Sequence, residues 1–361
     1  MKKFFFILIT LSILFSCNKD KNTKLTFLDE YILKDSTVFQ NSIIGGLSGV
    51  DYANGFYYFV IDDAKKPRFL KAKITIDNYK IKDFIVDDVF YLNDTITAFY
   101  KNNVLDLESV FYDTETEQLN FVSEGSIAYR KSPSVFTTDE FGRFKYNYKI
   151  PTQFISNEIV NLKHNGAFEG SSRAFNNKGF WVAMESPLIN DGDEPTFTEK
   201  SSPIRVTYFD KKAKIATKQY AYQLEHITKP SKGSINLNGL TAILEYKKNH
   251  FFIVERTYQS EFGKLGNTVR IFEAIIDEKT TNILEVDSLR ETEYIPLKKR
   301  LVFDFETVRN ELTNGIVDNI EGITFGPVLP NGNKSLLLVS DDNFQIYGKQ
   351  LNQFILLEIL N

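Results

Sequence analysis

Ile320-Glu321-Gly322-Ile323, running on to Leu336-Leu337-Leu338-Val339 and then Asp341-Asp342, is the last of five copies of one pattern. The earlier copies are Leu47-Ser48-Gly49-Val50, Leu107-Glu108-Ser109-Val110, Phe168-Glu169-Gly170-Ser171 and Leu237-Asn238-Gly239-Leu240. Each has an apolar residue, a short polar or acidic one, then Gly or Ser, and the second positions stand 60, 61, 69 and 83 residues apart. Some 14 to 20 residues later each copy reaches a strand-like run ending in acid: Asp62-Asp63, Glu124, Glu185, Glu255 and Asp341-Asp342. Repeats of this kind, built of short strands with turn residues between them, predict a β-propeller. One small sheet cannot cover its own faces, so neighbouring sheets must stack around an axis.

The rest of the chain fits that frame. Phe56-Tyr57-Tyr58-Phe59-Val60-Ile61 and Phe251-Phe252-Ile253-Val254 are apolar runs of strand length. Asn54-Gly55, Asn177-Lys178-Gly179 and Asn331-Gly332-Asn333 are turn signals. One segment departs: Phe305, Val308 and Leu312 have helical spacing, with Gly315 as the stop. Leu25-Thr26-Phe27-Leu28 and Phe354-Ile355-Leu356-Leu357 are both strand-like and are expected to pair and close the ring. No linker interrupts the chain after Leu25. The expectation is one all-β propeller domain over residues 25–361, with six blades inside a range of five to seven, the sixth completed by the chain ends.

Composition bounds the partners. With 42% hydrophobic and 25% charged residues among 361, the chain is neither disordered nor low-complexity. A formal charge of −4 without a long basic run gives no footprint for nucleic acid. The single Cys follows Lys2, Lys3 and an apolar run from Phe4 to Phe15, the layout of a secretion signal. Leu14-Phe15-Ser16-Cys17 resembles a bacterial lipobox. Residues 1–16 are therefore expected to be a signal peptide, Cys17 the lipidated residue, and 17–24 a tether holding the protein at the membrane of the bacterial cell envelope. One Cys also leaves no internal disulfide and no Cys-based zinc site.

Chemistry has to come from acids. There is no Gly-x-Ser-x-Gly elbow, phosphate-cradling loop or dinucleotide fingerprint, and His164, His226 and His250 have no metal-ligand spacing. Successive repeats of a propeller bring equivalent positions together at one mouth. Glu108, Glu169 and Glu321 are expected in one ring, and Asp62, Asp63, Glu185, Glu255, Asp341 and Asp342 in another. Carboxylates forced together raise one another's pKa unless a cation neutralises them, and a hard divalent ion, calcium first, suits oxygen ligands. Arg68, Arg256 and Arg270 offer counter-charge. Arg256 suits either an anion clamp or an ion pair with the acids. Asp191-Gly192-Asp193-Glu194 is a second, shorter acidic loop.

Several of these stretches resemble the phytase-like family described as having esterase-like activity. They are Gly45 through Tyr52 with Tyr58 through Asp63, Asn165 through Gly170 with Val182 through Leu188, Ile204 through Asp210, Glu255 through Tyr258, and Asp318 through Thr324 with Val339 through Phe344. The resemblance implies a β-propeller outside the cytoplasm that hydrolyses ester or phosphate-ester bonds. It carries Glu169, Glu321 and Asp342 forward as catalytic candidates and Arg256 as the anion contact, while the residue reading itself supplies Arg68 as a second substrate contact and Asp62, Asp63, Glu185 and Asp341 as metal ligands. Ser109 stands where the family usually has Gly, and Gly170 is followed by Ser171-Ser172. Two readings result: a metal-assisted hydrolase of a small phosphate or acyl ester, and a non-catalytic binding propeller on the cell envelope.

Overall fold

Each copy of the pattern folds into a four-stranded antiparallel sheet, and five such blades form the molecule. The computed structural model describes residues 23–92, 94, 96–156, 161–163 and 165–360. The signal segment, Cys17 and His164 lie outside them. Blade 1 comprises Leu47–Ala53, Phe56–Ile61, Arg68–Asp77 and Lys80–Tyr91. Blade 2 is Leu107–Asp113, Gln118–Ser123, Ser134–Thr138 and Phe144–Asn147. Blade 3 is Phe168–Arg173, Gly179–Met184, Pro203–Asp210 and Ile215–Gln223. Blade 4 is Asn236–Lys247, His250–Gln259, Asn267–Ile275 and Lys298–Asp304. Blade 5 takes Asn319–Val328, Lys334–Asp341 and Asn352–Leu360 from the end of the chain and Lys24–Leu33 from its beginning.

The ends pair as expected, Leu25 opposite Ile359 and Phe27 opposite Leu357. They close the fifth blade rather than complete a sixth. The count is therefore at the lower bound of the expected range. The first strands of the blades touch in cyclic order, blade 5 returning to blade 1. Core side chains lie between blades: Phe59, Phe84 and Phe354 meet between blades 1 and 5, and Phe111, Tyr148 and Phe180 between blades 2 and 3. Aromatic bulk is what fills the wedge between two splayed sheets.

A β-bulge interrupts the first hairpin of every blade, after Leu47, Leu107, Phe168, Leu240 and Ile320. The bulge re-aims one side chain toward the axis. With only five blades the inner strands approach closely there. A Cβ on Gly49 would sit 2.7 Å from the Glu108 carbonyl and 2.8 Å from the Ser109 Cα, and one on Gly322 would sit 3.0 Å from Val50 Cγ1. Glycine in the pattern thus serves blade-to-blade contact. Below the bulges the axis is filled: Arg173 of blade 3 reaches Asp51 of blade 1 at 3.2 Å, and Asp51 also accepts from the Tyr112 N–H of blade 2.

The segment with helical spacing is a 3₁₀-helix, Phe305–Glu311, capped by Asp304 accepting from the Glu306 N–H. Phe305 and Leu312 are buried against blade 4 and its neighbour. A separate short turn, Thr313–Gly315, precedes blade 5. Among the described residues no helix is long and apolar enough to cross a membrane.

Candidate functional site

The bulges also assign equivalent positions. The residue in the bulge is Ser48 in blade 1, Glu108 in blade 2, Glu169 at the start of the blade 3 bulge, Thr241 in blade 4 and Glu321 in blade 5. In blades 1 and 4 the short hydroxyl side chain stays with the backbone. Ser48 Oγ donates to the Leu107 carbonyl at 2.7 Å, and Thr241 Oγ1 to the Ile320 carbonyl at 2.8 Å, each tying a blade to the next. In the other three blades a glutamate reaches the axis instead.

One hairpin register further, the residue that follows the partner of the pre-bulge residue is Asp62, Glu124, Glu185, Arg256 and Asp341. The blade 4 copy of the pattern therefore lies three residues later than the sequence repeat places it. Leu240-Thr241-Ala242-Ile243 is the structural counterpart, and a guanidinium occupies a place that carries a carboxylate in the other four blades. Glu255, expected in the ring, is buried away from the axis. It accepts from Tyr222 Oη at 2.5 Å, the Glu225 N–H at 3.0 Å and Asn238 Nδ2 at 3.1 Å, and pairs with Lys299.

These side chains line a cavity of about 1010 Å³ at one end of the axis. Its walls bring together Asp62, Glu108, Glu124, Glu169, Glu185, Glu321, Asp341 and Arg256 of the residues read from the sequence. They also include Asp106. Asp106 carries no signal in the repeat, because it precedes the pattern's apolar residue, where the other blades have Gly46, Ala167, Gly239 and Asn319.

Asp63, Arg68 and Asp342 are not brought to the cavity. Arg68 is 4% exposed and donates to Asp63 at 2.8 Å, to Ser42 Oγ and to the Lys66 carbonyl, which fixes the loop after blade 1's second strand. Asp342 is a cap: it accepts from the Gly46 N–H at 2.8 Å, from Asn352 Nδ2 at 2.9 Å and from Gln345 Nε2 at 3.0 Å. Asp191 is likewise structural, in a fully buried pair with Arg205 at 2.6 Å.

Carboxylate oxygens of Asp62, Asp106 and Glu108 lie within 4.8 Å of one another, and so do those of Glu108, Glu124 and Glu169. Two triads share Glu108. Burial pushes Glu108 well above the usual carboxylate range, helped by Glu169, Asp62 and Glu124. Burial does the same to Glu169, with Glu185 and Glu321 adding to it, and to Asp62, with Asp106 adding to it. Glu124 is pushed up to about 8, first by burial and then by Glu185. Glu185 rises only to about 7, because Arg256 offsets part of its burial.

Arg256 sits 2.9 Å from Glu321 and 3.5 Å from Glu185. Burial alone would lower its pKa, and the charges of Glu321, Glu185 and Glu169 more than reverse that. Its Nε is buried with no hydrogen-bond partner among the described residues. Of the two roles the sequence left open for Arg256, the ion pair with the acids is the one formed here. The donor set fits a hard cation: oxygens only, closely spaced and short of protein donors to satisfy them.

A family model described as phytase-like, esterase-like activity of phytase, matches residues 42–344. Comparison with curated proteins returns no match. Among solved structures, an exo-β-1,3-galactanase from Phanerochaete chrysosporium with β-1,3-galactotriose aligns over 94% of this chain, at 10% identity and a TM-score of 0.47. This chain spans 64% of the galactanase's length. An endo-1,4-β-xylanase from Bacteroides thetaiotaomicron aligns over 86% of this chain and 90% of its own, at 10% identity and a TM-score of 0.43.

Proposed function

The chain belongs to the phytase-like family with esterase-like activity, and from that premise we propose that it hydrolyses phosphate or other esters with a divalent cation, calcium first, in the acid-lined cavity. The observation that carries this reading is the pair of carboxylate triads sharing Glu108 at the base of a cavity large enough for a small ester. Asp62, Asp106, Glu108, Glu124 and Glu169 would hold the metal. A bound hard cation there would neutralise the crowded carboxylates and polarise an ester or phosphoryl oxygen.

The chain's own residues supply the rest. Glu321 is committed to Arg256 and to Asn319 Nδ2 at 2.8 Å, and Asp341 accepts from the Asn343 N–H. Among the described residues Glu185 belongs to neither triad and its side chain is held only by the longer contact to Arg256. It is therefore the carboxylate free to take a proton from the attacking water and return it to the leaving alcohol. On substrate binding Arg256 gives up its 3.5 Å contact to Glu185 and turns that arm of its planar fork to the substrate's anionic oxygens, keeping its pair with Glu321.

On the same reading the protein is held at the bacterial cell envelope by a lipid on Cys17. The support is the charged start, the apolar run and Leu14-Phe15-Ser16-Cys17. Cys17→Ala should shift it from the membrane to the soluble fraction.

The test is product release by purified protein from a panel of acyl and phosphate esters, phytate included, with calcium and then with chelator. Calcium-dependent release supports the hydrolase. Silence over the whole panel from folded, calcium-bound protein leaves a binding propeller.

A further inference from the structure

Blade 4 differs from the others above its bulge. The first strands of blades 1, 2 and 3 begin at the residue before the bulge, at Leu47, Leu107 and Phe168. In blade 4 the strand begins at Asn236, four residues before Leu240, and its partner continues past Arg256 to Gln259. The hairpin thus stands up as one wall of the cavity.

Side chains along it alternate. Arg256 faces the acids, so Tyr258, two residues on, shares its face, and so does Leu237, directly opposite Tyr258 in the ladder. The other face carries Asn238 and Thr257, which are buried and hydrogen-bonded to each other at 2.7 Å. This inverts the usual pattern of a half-buried strand: polar groups are inside, and two apolar groups look into open space. Leu237 is 53% exposed and Tyr258 39%.

Ile235, just before the strand, and Tyr347, from the loop between the second and third strands of blade 5, line the same cavity, at 47% and 80% exposure. Apolar surface concentrated beside a polar site marks a ligand contact. The cavity is thus two-sided, with carboxylates from blades 1, 2, 3 and 5 facing an apolar wall from blade 4 and the Tyr347 loop.

Few cations balance the acids. Arg256 is the inner one and is already paired twice, while Lys264 and Lys349 are exposed on the rim. A ligand bearing many phosphates around a small ring would find one guanidinium and an apolar wall where it needs cations.

We infer that Leu237, Tyr258, Ile235 and Tyr347 form an apolar subsite, and that the substrate is a monoester with an aryl or alkyl group seated there and its single ester group over the carboxylates. This rests on the hydrolase reading above. The wall sets which ester is chosen, by removing the organic group from water.

The experiment compares phenyl phosphate and octyl phosphate with methyl phosphate and phytate, in calcium. Phenyl or octyl phosphate should exceed methyl phosphate in kcat/KM by about tenfold or more, as one or two buried methylene equivalents and a ring contact require. Leu237→Asn should lower that ratio several-fold. Tyr347→Ser, on a separate exposed loop, should lower it in the same direction, so loss of fold in one variant does not decide the matter. Equal kcat/KM for methyl and phenyl phosphate, a preference for phytate, or a ratio unmoved by both substitutions overturns the subsite.

If no ester is turned over, the hydrolase reading fails. The subsite is then judged by calorimetry with phenylphosphonate and methylphosphonate in calcium. Tighter phenylphosphonate binding, weakened by Leu237→Asn, sustains it, and equal binding overturns it.

Discussion

Glu169 is 7% exposed, joins one of the two triads, and Arg256 is the charge that offsets part of its burial. Glu169→Gln keeps its volume and removes a buried charge from a crowded set. Without metal at pH 8 the variant should melt about 2 °C higher than the parent, since relief of like-charge repulsion is worth about 1 kcal/mol. The gain in melting temperature on adding calcium should shrink and turnover should be lost. Thermal scans with and without calcium check this, and an unchanged calcium response would remove Glu169 from the site. A second outcome follows from Glu124 and Glu185, whose folded-state values of about 8 and about 7 stand above the usual 4.5. A carboxyl raised on folding binds more protons in the folded state, so the stability it contributes is present below pH 4.5 and is lost as pH climbs through 7 and 8. Metal-free protein should lose on the order of 1 kcal/mol per pH unit per group over that window. Urea midpoints at pH 5, 6.5 and 8 measure it, and calcium should flatten the slope.

The five bulged hairpins put those residues in one place, and Gly49, Gly170 and Gly322 of blades 1, 3 and 5 let each meet the next blade closely. Gly49→Ala would drive a Cβ against backbone of the next blade, which cannot rotate away as a side chain could. It should destabilise the protein by about 2 kcal/mol in urea titrations. Gly55→Ala, whose Cβ would meet nothing within 4 Å but whose φ is +81°, separates backbone strain from collision. Four of the five blades were legible from the sequence because bulge, glycine or serine, and terminal acid recur together. Blade 4 was not. Gly239 imitates the pattern three residues early, while the true counterpart Leu240-Thr241-Ala242-Ile243 has neither acid nor glycine. The same offset hid that Arg256 stands in an acid's place. Asp63 and Asp342 adjoin ring acids in sequence, the resemblance also points to Asp342, and Arg68 is singled out as counter-charge. The chain turns at those points, and their side chains hold the turns.

The whole ring depends on its outermost strand from the N-terminal side. Lys24–Leu33 supplies the edge of blade 5, pairing along the full length of Asn352–Leu360. Deleting residues 24–33 should uncover that strand, open the contact with blade 1 and lower the melting temperature by about 10 °C or more, about 5 kcal/mol or more of lost burial and pairing. Differential scanning calorimetry reads the loss, and a shift of only 1–2 °C would show that the ring closes without it. The direction of this strand has a further consequence. Leu33 lies opposite Asn352, which bonds the Asp342 cap beside the cavity, whereas Lys24 lies opposite Leu360 at the other end of the blade. Thr23 is fastened there too, its carbonyl accepting from Arg300 at 2.9 Å. A lipid on Cys17 would be joined to that far end by six residues spanning roughly 20 Å at most. The bilayer would then lie behind the molecule and the mouth would open toward the water, so on the proposed reading the esters it would meet are ones diffusing in solution rather than the lipids of the membrane that would carry it.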